Sequence, residues 1–179
     1  MATTGQITLV VSVQETLAAP ENHIGAIFSA MRPFYSFTNG TGVGQNDRVW
    51  STRIDLAAAA TAIIDLAPLS VDVGAGPVPQ SDVYGNAVTF VEVTMIAIRN
   101  RETTAGQQIL RFGPAAVNPF LWLFVDATDQ VVIVPGGAYC QWSDEAQTVN
   151  PGAADSIRLI NTDGANATMF DIIIVGRSA

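Results

Sequence analysis

Along residues 6–14, Ile7, Leu9, Val11 and Val13 alternate with Thr8, Ser12 and Gln14, and only Val10 breaks the polar side. A period of two marks a strand with one buried face. The chain therefore opens on a strand, and residues 1–20 are a candidate arm that pairs with a neighbour. After the turn-rich Ala19-Pro20-Glu21-Asn22, residues 24–31 fit a short helix or an irregular strand equally well. Residues 34–38 and 48–54 are rich in aromatic and β-branched side chains, and they flank Asn39-Gly40-Thr41-Gly42-Val43-Gly44. That arrangement predicts a hairpin with a long glycine loop.

Residues 57–60 are all alanine, which favours a helical turn, whereas Thr61 to Leu66 reads as a short strand. Three prolines and two glycines in residues 68–81 predict an exposed loop. Beyond the turn at residues 82–86, residues 87–98 form a long β-type run with apolar residues on both faces, the mark of a central strand. Further strands are expected at 108–112, 120–125, 130–134, 138–142, 155–161 and 168–175. Asp126-Ala127-Thr128-Asp129, Pro135-Gly136-Gly137, Asn150-Pro151-Gly152 and residues 162–166 supply turns between them. Short strands at roughly 8–12-residue spacing, without long helical periodicity, predict an all-β chain. The expected form is an antiparallel β-sandwich or jelly-roll-like barrel, one domain over residues 1–179. Ile98-Arg99-Asn100 and Leu159-Ile160-Asn161 look alike, but two short matches do not establish a repeat.

Composition narrows the functions open to such a fold. Of 179 residues, 49% are hydrophobic and 13% charged, enough for a well-buried core. Eight arginines, no lysine and sixteen carboxylates give a net charge of −8, and the arginines are scattered. Nucleic-acid binding needs clustered basic groups that release counterions, so no nucleic-acid partner is expected. Without lysine there is no Schiff-base or P-loop chemistry, and the glycines at 40, 42 and 44 lack both the spacing and the helix of a dinucleotide loop. The longest apolar runs, such as residues 120–125, fall far short of a membrane span. The N-terminus has neither the basic nor the long apolar region of a signal peptide, so no membrane partner and no export are expected. Asn39-Gly40-Thr41 and Asn166-Ala167-Thr168 then read as turns rather than glycosylation sites.

Candidate chemistry is sparse. His23 is the one histidine and Cys140 the one cysteine, so a metal centre built on several such ligands is not expected. Cys140 reads as a small core residue and His23 as a surface or interface imidazole. A serine triad could use only His23, and no G-x-S-x-G elbow accompanies it. The pairs Asp144 with Glu145 and Asp126 with Asp129 read as solvated or backbone-capping turn carboxylates, not a glycosidase pair. No calcium-loop motif occurs. No cofactor and no enzymatic activity are expected. Trp122 and Trp142 read as core or subunit packing. The candidate interface residues are Phe34, Tyr35, Phe37, Trp50 and Trp122.

From residue 82 onward the order of features resembles a class of tailed-phage virion proteins. The matching residues are Tyr84-Gly85-Asn86, Ile98-Arg99-Asn100, Val134-Pro135-Gly136-Gly137, Ser156-Ile157-Arg158-Leu159-Ile160-Asn161 and Phe170-Asp171-Ile172-Ile173-Ile174-Val175-Gly176. The resemblance implies a jelly-roll-like virion protein of the decoration (cement) or fibre-base type, made in the host cytoplasm and carried on the capsid surface. It implies a homotrimer whose partners are the major capsid protein or other virion proteins. The alternative is a fibre or tail module that binds a carbohydrate receptor, and it calls for two or three aromatics exposed in a row.

Overall fold

The computed structural model describes residues 5–8, 11–16, 26–31, 34–82, 84–104, 108–122 and 124–179, with side chains from residue 38 onward. The described residues contain strands and turns and no helix. Two antiparallel sheets pack as a sandwich. One sheet runs β11 (Val131–Ile133), β10 (Leu110–Pro114), β13 (Ser156–Asn161), β6 (Thr61–Leu66), β7 (Leu69–Asp72) and β8 (Val78–Pro79). The other runs β12 (Ala138–Thr148), β9 (Glu92–Asn100), β14 (Thr168–Arg177) and β5 (Arg48–Leu56).

The alternation read from the sequence explains the core. On β14, Phe170, Ile172 and Ile174 are fully buried and pair across to Ile54, Thr52 and Trp50 on β5 and to Asn100, Ile98 and Ile96 on β9. They meet Ile64, Leu66, Leu110, Phe112 and Leu159 from the opposite sheet. Burial of each such side chain contributes about 1.5–3 kcal/mol, which is what holds the two layers face to face. β9 lies between β12 and β14, the central position that its two apolar faces predict.

Two look-alike strand ends serve one local purpose. Asn100 closes β9 and Asn161 closes β13, and both side chains are buried. The Asn100 amide donates to the carbonyls of Gln108 (2.8 Å) and Ile133 (3.1 Å), and its Oδ1 accepts from Glu102 N–H. The Asn161 amide donates to the carbonyls of Ala57 (3.0 Å) and Asn166 (2.8 Å), and its Oδ1 accepts from Asp163 N–H. Each asparagine thus satisfies loop carbonyls that burial would otherwise leave unpaired. At the other end of β14, Arg177 is buried, pairs with Glu92 (2.9 Å) and donates to the carbonyls of Gln45 and Asp144. Gly176 sits at a break in the β9–β14 register, where a Cβ would collide with the Glu92 carbonyl oxygen and the Phe90 ring.

Several expected elements are corrected. Residues 34–38 and 48–54 do not form a hairpin: β4 (Phe34–Phe37) pairs with β1 (Gly5–Thr8), and β5 pairs with β14. The strand expected over residues 6–14 is described as β1 and β2 (Val11–Thr16), and residues 26–31 form strand β3 (Ala26–Met31) rather than a helix. Residues 57–60 make a turn in which Ala60 N–H donates to the Ala57 carbonyl. Residues 68–81 are not one exposed loop, because Leu69 and Val71 alternate into the core on β7. Residues 120–125 are not a strand. Phe120 plugs the core, Phe124 N–H closes a turn on the Leu121 carbonyl, and Val125 is 94% exposed.

β1 and β4 form one two-stranded ribbon, and β2 and β3 form another. Gly5 faces Phe37, Thr8 faces Phe34, Val11 faces Met31 and Thr16 faces Ala26. Among the described residues, neither ladder hydrogen-bonds to a strand of either sheet.

Candidate assembly surface

Because side chains alternate along a strand, the residues between the core positions of the four-stranded sheet lie on its outer face. The register sets them in rows. Trp142, Met95, Val175 and Val49 form one row; Cys140, Ala97, Ile173 and Ser51 form the next. Met95 and Val175 are only 2% exposed although they lie outside the main core, and Val49, Ala97, Cys140 and Trp142 pack against them, half-buried. Ile173 is 40% exposed in the middle of this face. The third row is charged: Ala138, Arg99, Asp171 and Arg53. Asp171 accepts from Arg53 (3.0 Å) and from Arg101 (2.9 Å). Its partial burial pushes the carboxyl up, but the hydrogen bonds and charges of Arg101 and Arg53 outweigh this and hold it below the usual carboxylate range. Arg53, Arg99 and Arg101 surround Asp171 here, with Asp55 two residues along the same face of β5, so the rim is charged in both signs.

Of the interface residues expected from sequence, Trp50 and Trp122 are placed in or against the core. Trp50 is 2% exposed, opposite Ile174 inside the sandwich, so its ring serves the core. Trp122 packs half-buried against the core, with its ring 6.5 Å from that of Phe120. Phe34, Tyr35 and Phe37 lie on β4, facing Thr8, Ile7 and Gly5 in the ribbon register. Sequence reasoning missed Ile173, Ala97, Val49 and Trp142 as a common face. The available signal was the unbroken apolar run Ile172-Ile173-Ile174-Val175, which cannot send every residue to one side of a strand. Of the tryptophans, only Trp142 belongs to the outer face, so the described residues do not line up aromatics there for sugar stacking.

Groups with catalytic or ligand potential are engaged structurally. Asp126 accepts from Thr128 N–H and Oγ1–H, and those two bonds hold its carboxyl low; Asp129 accepts from the amides of Val125 and Asp126. Asp144 and Glu145 are exposed on β12, where its pairing with β9 is interrupted between Trp142 and Gln147. The Cys140 thiol is half-buried, and burial pushes it up, away from the reactive thiolate. An open cleft of about 300 Å³ is lined by Gln108, Ile109, Thr162 and residues 163–166. Its carboxylate, Asp163, accepts from Gln108, Ala165 and Asn166 and so holds the loop together. Among the described residues no group of three or more His, Cys, Asp or Glu side chains is placed to hold a metal ion. His23 lies outside the described residues.

No protein-family model matches the chain, and no curated protein matches it. Among solved structures it is similar to a Bacillus endospore appendage protein of a family of disulfide-linked pili. That match has 14% identity and a TM-score of 0.34, and it covers 77% of this chain and 95% of the other. It is also similar to a chain in the structure of Tomato Aspermy Virus, with 11% identity and a TM-score of 0.35 over 73% of this chain and 79% of the other. Likenesses this distant carry no weight in assigning a role.

Proposed function

We propose that this chain is a non-enzymatic structural protein of a tailed-phage virion, a capsid decoration protein that binds the outer capsid as a homo-oligomer and stabilises it. The observation that carries the reading is the outer face of the four-stranded sheet, where two apolar rows end in a charged rim. A face that leaves Ile173 exposed beside half-buried Trp142, Ala97 and Val49, with a charged row at its end, has the composition of a protein interface rather than of a solvated sheet face. The charged rim fixes orientation, while the apolar rows supply the affinity. The resemblance of residues 82–176 to virion proteins supports the choice of a capsid as the partner.

The reading is tested by adding the purified protein to expanded capsids assembled without it. Saturable binding and a higher capsid melting temperature are expected. Ile173→Glu, which puts a carboxylate in the centre of the apolar rows, should weaken binding about a hundredfold while the free protein stays folded. Failure of the folded wild-type protein to bind such capsids would overturn the proposal.

A further inference from the structure

We infer that the outer face of the six-stranded sheet is a self-association surface, on which Arg111 and Arg158 receive the turn at residues 126–129 of a second copy. The inference rests on reading the chain as an assembling subunit. It names the face by which copies join, on the side of the sandwich away from the four-stranded sheet.

Alternation sends Leu110, Phe112, Leu159 and Ile64 into the core, so the residues between them lie on the outer face. Register sets Val132, Arg111 and Ile160 in one row, and Gly113, Arg158 and Ile63 in the next. Val132 is 56% exposed, Ile63 is 42% exposed and Ile160 is half-buried. Arg111 faces Ile160, two residues from Arg158, so the arginines are diagonal neighbours on adjacent strands. Among the described residues neither has a carboxylate within ion-pairing distance. The acids of the same face are engaged elsewhere: Asp65 accepts from the Ala67 amide, and Asp72 from those of Gly74 and Gly76. Arg158 is half-buried, donates to the Ala127 carbonyl at 3.4 Å, and has its Nε buried without an acceptor. A guanidinium that has lost water and gained no carboxylate is incompletely satisfied within one chain.

The occupant must therefore bring carboxylates and an apolar side chain, and the turn at residues 126–129 has both. Asp126 and Asp129 are exposed, and Val125 beside them is 94% exposed. Their turn bonds use Oδ1 of Asp126 and Oδ2 of Asp129, so each keeps one oxygen for an outside donor. The turn also stands at the margin of the face: a Cβ at Gly113 would lie 2.5 Å from the Asp129 carbonyl oxygen. Each copy can thus give its turn and receive a neighbour's in a closed, symmetric oligomer. The aliphatic contact supplies affinity, and the aspartate–arginine pairs fix orientation between chains that repel elsewhere at a net charge of −8.

Sedimentation of the full chain over a concentration series, with capsid binding measured in parallel, tests this. The native mass should rise above that of the monomer. Arg111→Glu and Val125→Glu alter exposed side chains, so both should stay folded by circular dichroism and raise the concentration needed for assembly about a hundredfold. Asp126→Asn keeps an acceptor for Thr128 and removes the charge, for a shift of about tenfold. Ile173→Glu, on the other sheet, should leave assembly unchanged. A chain that stays monomeric at high concentration, or oligomers that survive both glutamates, overturns the inference; if that monomer binds capsids, capsid binding stands without it. Loss of capsid binding by Arg111→Glu with assembly intact would put the capsid on this face and equally overturn it. Oligomers that the glutamates dissolve but that do not bind capsids would uphold the surface and overturn the decoration role.

Discussion

The sandwich and the N-terminal ribbon are built from the same kind of strand but satisfied in different ways. In the sandwich, β14 is bonded on both sides, its inner residues meet a second sheet, and the strand ends are closed by Asn100, Asn161 and Arg177. In the ribbon, each strand has a single partner among the described residues. The first region completes its hydrogen bonds and apolar contacts within one chain, whereas the N-terminal ladders are two strands wide among the described residues. Stability of the fold should therefore respond strongly to changes in the sandwich and weakly to changes in the N-terminal ladders.

The strongest test of that division is a core truncation. Phe170 is fully buried on β14 at the meeting of the two sheets. Phe170→Ala should cost about 3–5 kcal/mol, measured by urea unfolding, because transfer free energy is lost and a cavity is left. A cost below about 1 kcal/mol would mean that the two sheets do not depend on each other. Smaller but still distinct losses are expected for Asn100→Ala and Asn161→Ala, about 1–3 kcal/mol each, since each substitution abandons loop carbonyls and an amide in a buried setting. The two sites close different sheets but are linked through Gln108 and Asp163, so the double variant should depart from additivity.

How much of this was legible in the chain depends on how local the cause is. Period-two alternation located β9, β13 and β14 because it records which side of a strand faces the core. The partner of β5 was not legible: β14 lies more than a hundred residues downstream, and local pattern pointed to the nearer residues 34–38. Residues 120–125 misled for a different reason. An aromatic-rich apolar run signals burial, and Phe120 is buried, but burial by a plug in a turn needs no ladder. Proline and glycine content hid β7, whose inward residues are only Leu69 and Val71. The assembly face was half legible. β9 read as apolar on two sides, but the unbroken apolar run of β14 was not read that way, and which outer residues share a row is fixed by register alone.

A titration sharpens the comparison further, because its causes lie in the sandwich. Asp65 is partly buried on β6, and desolvation raises its carboxyl above the usual value despite the Ala67 N–H it accepts; Asp155 nearby raises it further. A carboxyl raised by folding contributes a cost that is absent below the unfolded value near 3.8 and complete above the folded one. Asp65→Asn keeps an acceptor for Ala67 and removes that cost, so it should stabilise the protein at neutral pH and give no gain near pH 3. Asp171 works in the opposite sense. Its carboxyl is held low, so its contribution is present above the unfolded value and fades as pH falls through the folded one. Unfolding curves of Asp65→Asn at several pH values decide the matter, and a gain that persists in acid would show that the effect is steric.

The smallest expected effect is also the sharpest test of the division. Val13→Pro lies on β2, whose described strand partner is β3, with no hydrogen-bonded link to either sheet. Proline in a strand removes an N–H donor and fixes φ, which is costly wherever that donor is bonded. If the sandwich folds on its own contacts, the unfolding free energy of the monomer at low concentration should change by less than about 0.5 kcal/mol, the range of substitutions that touch nothing critical. A loss of several kcal/mol in the dilute monomer would mean that the ribbon is part of the folding unit, and the contrast between the sandwich and the N-terminal ladders would fail.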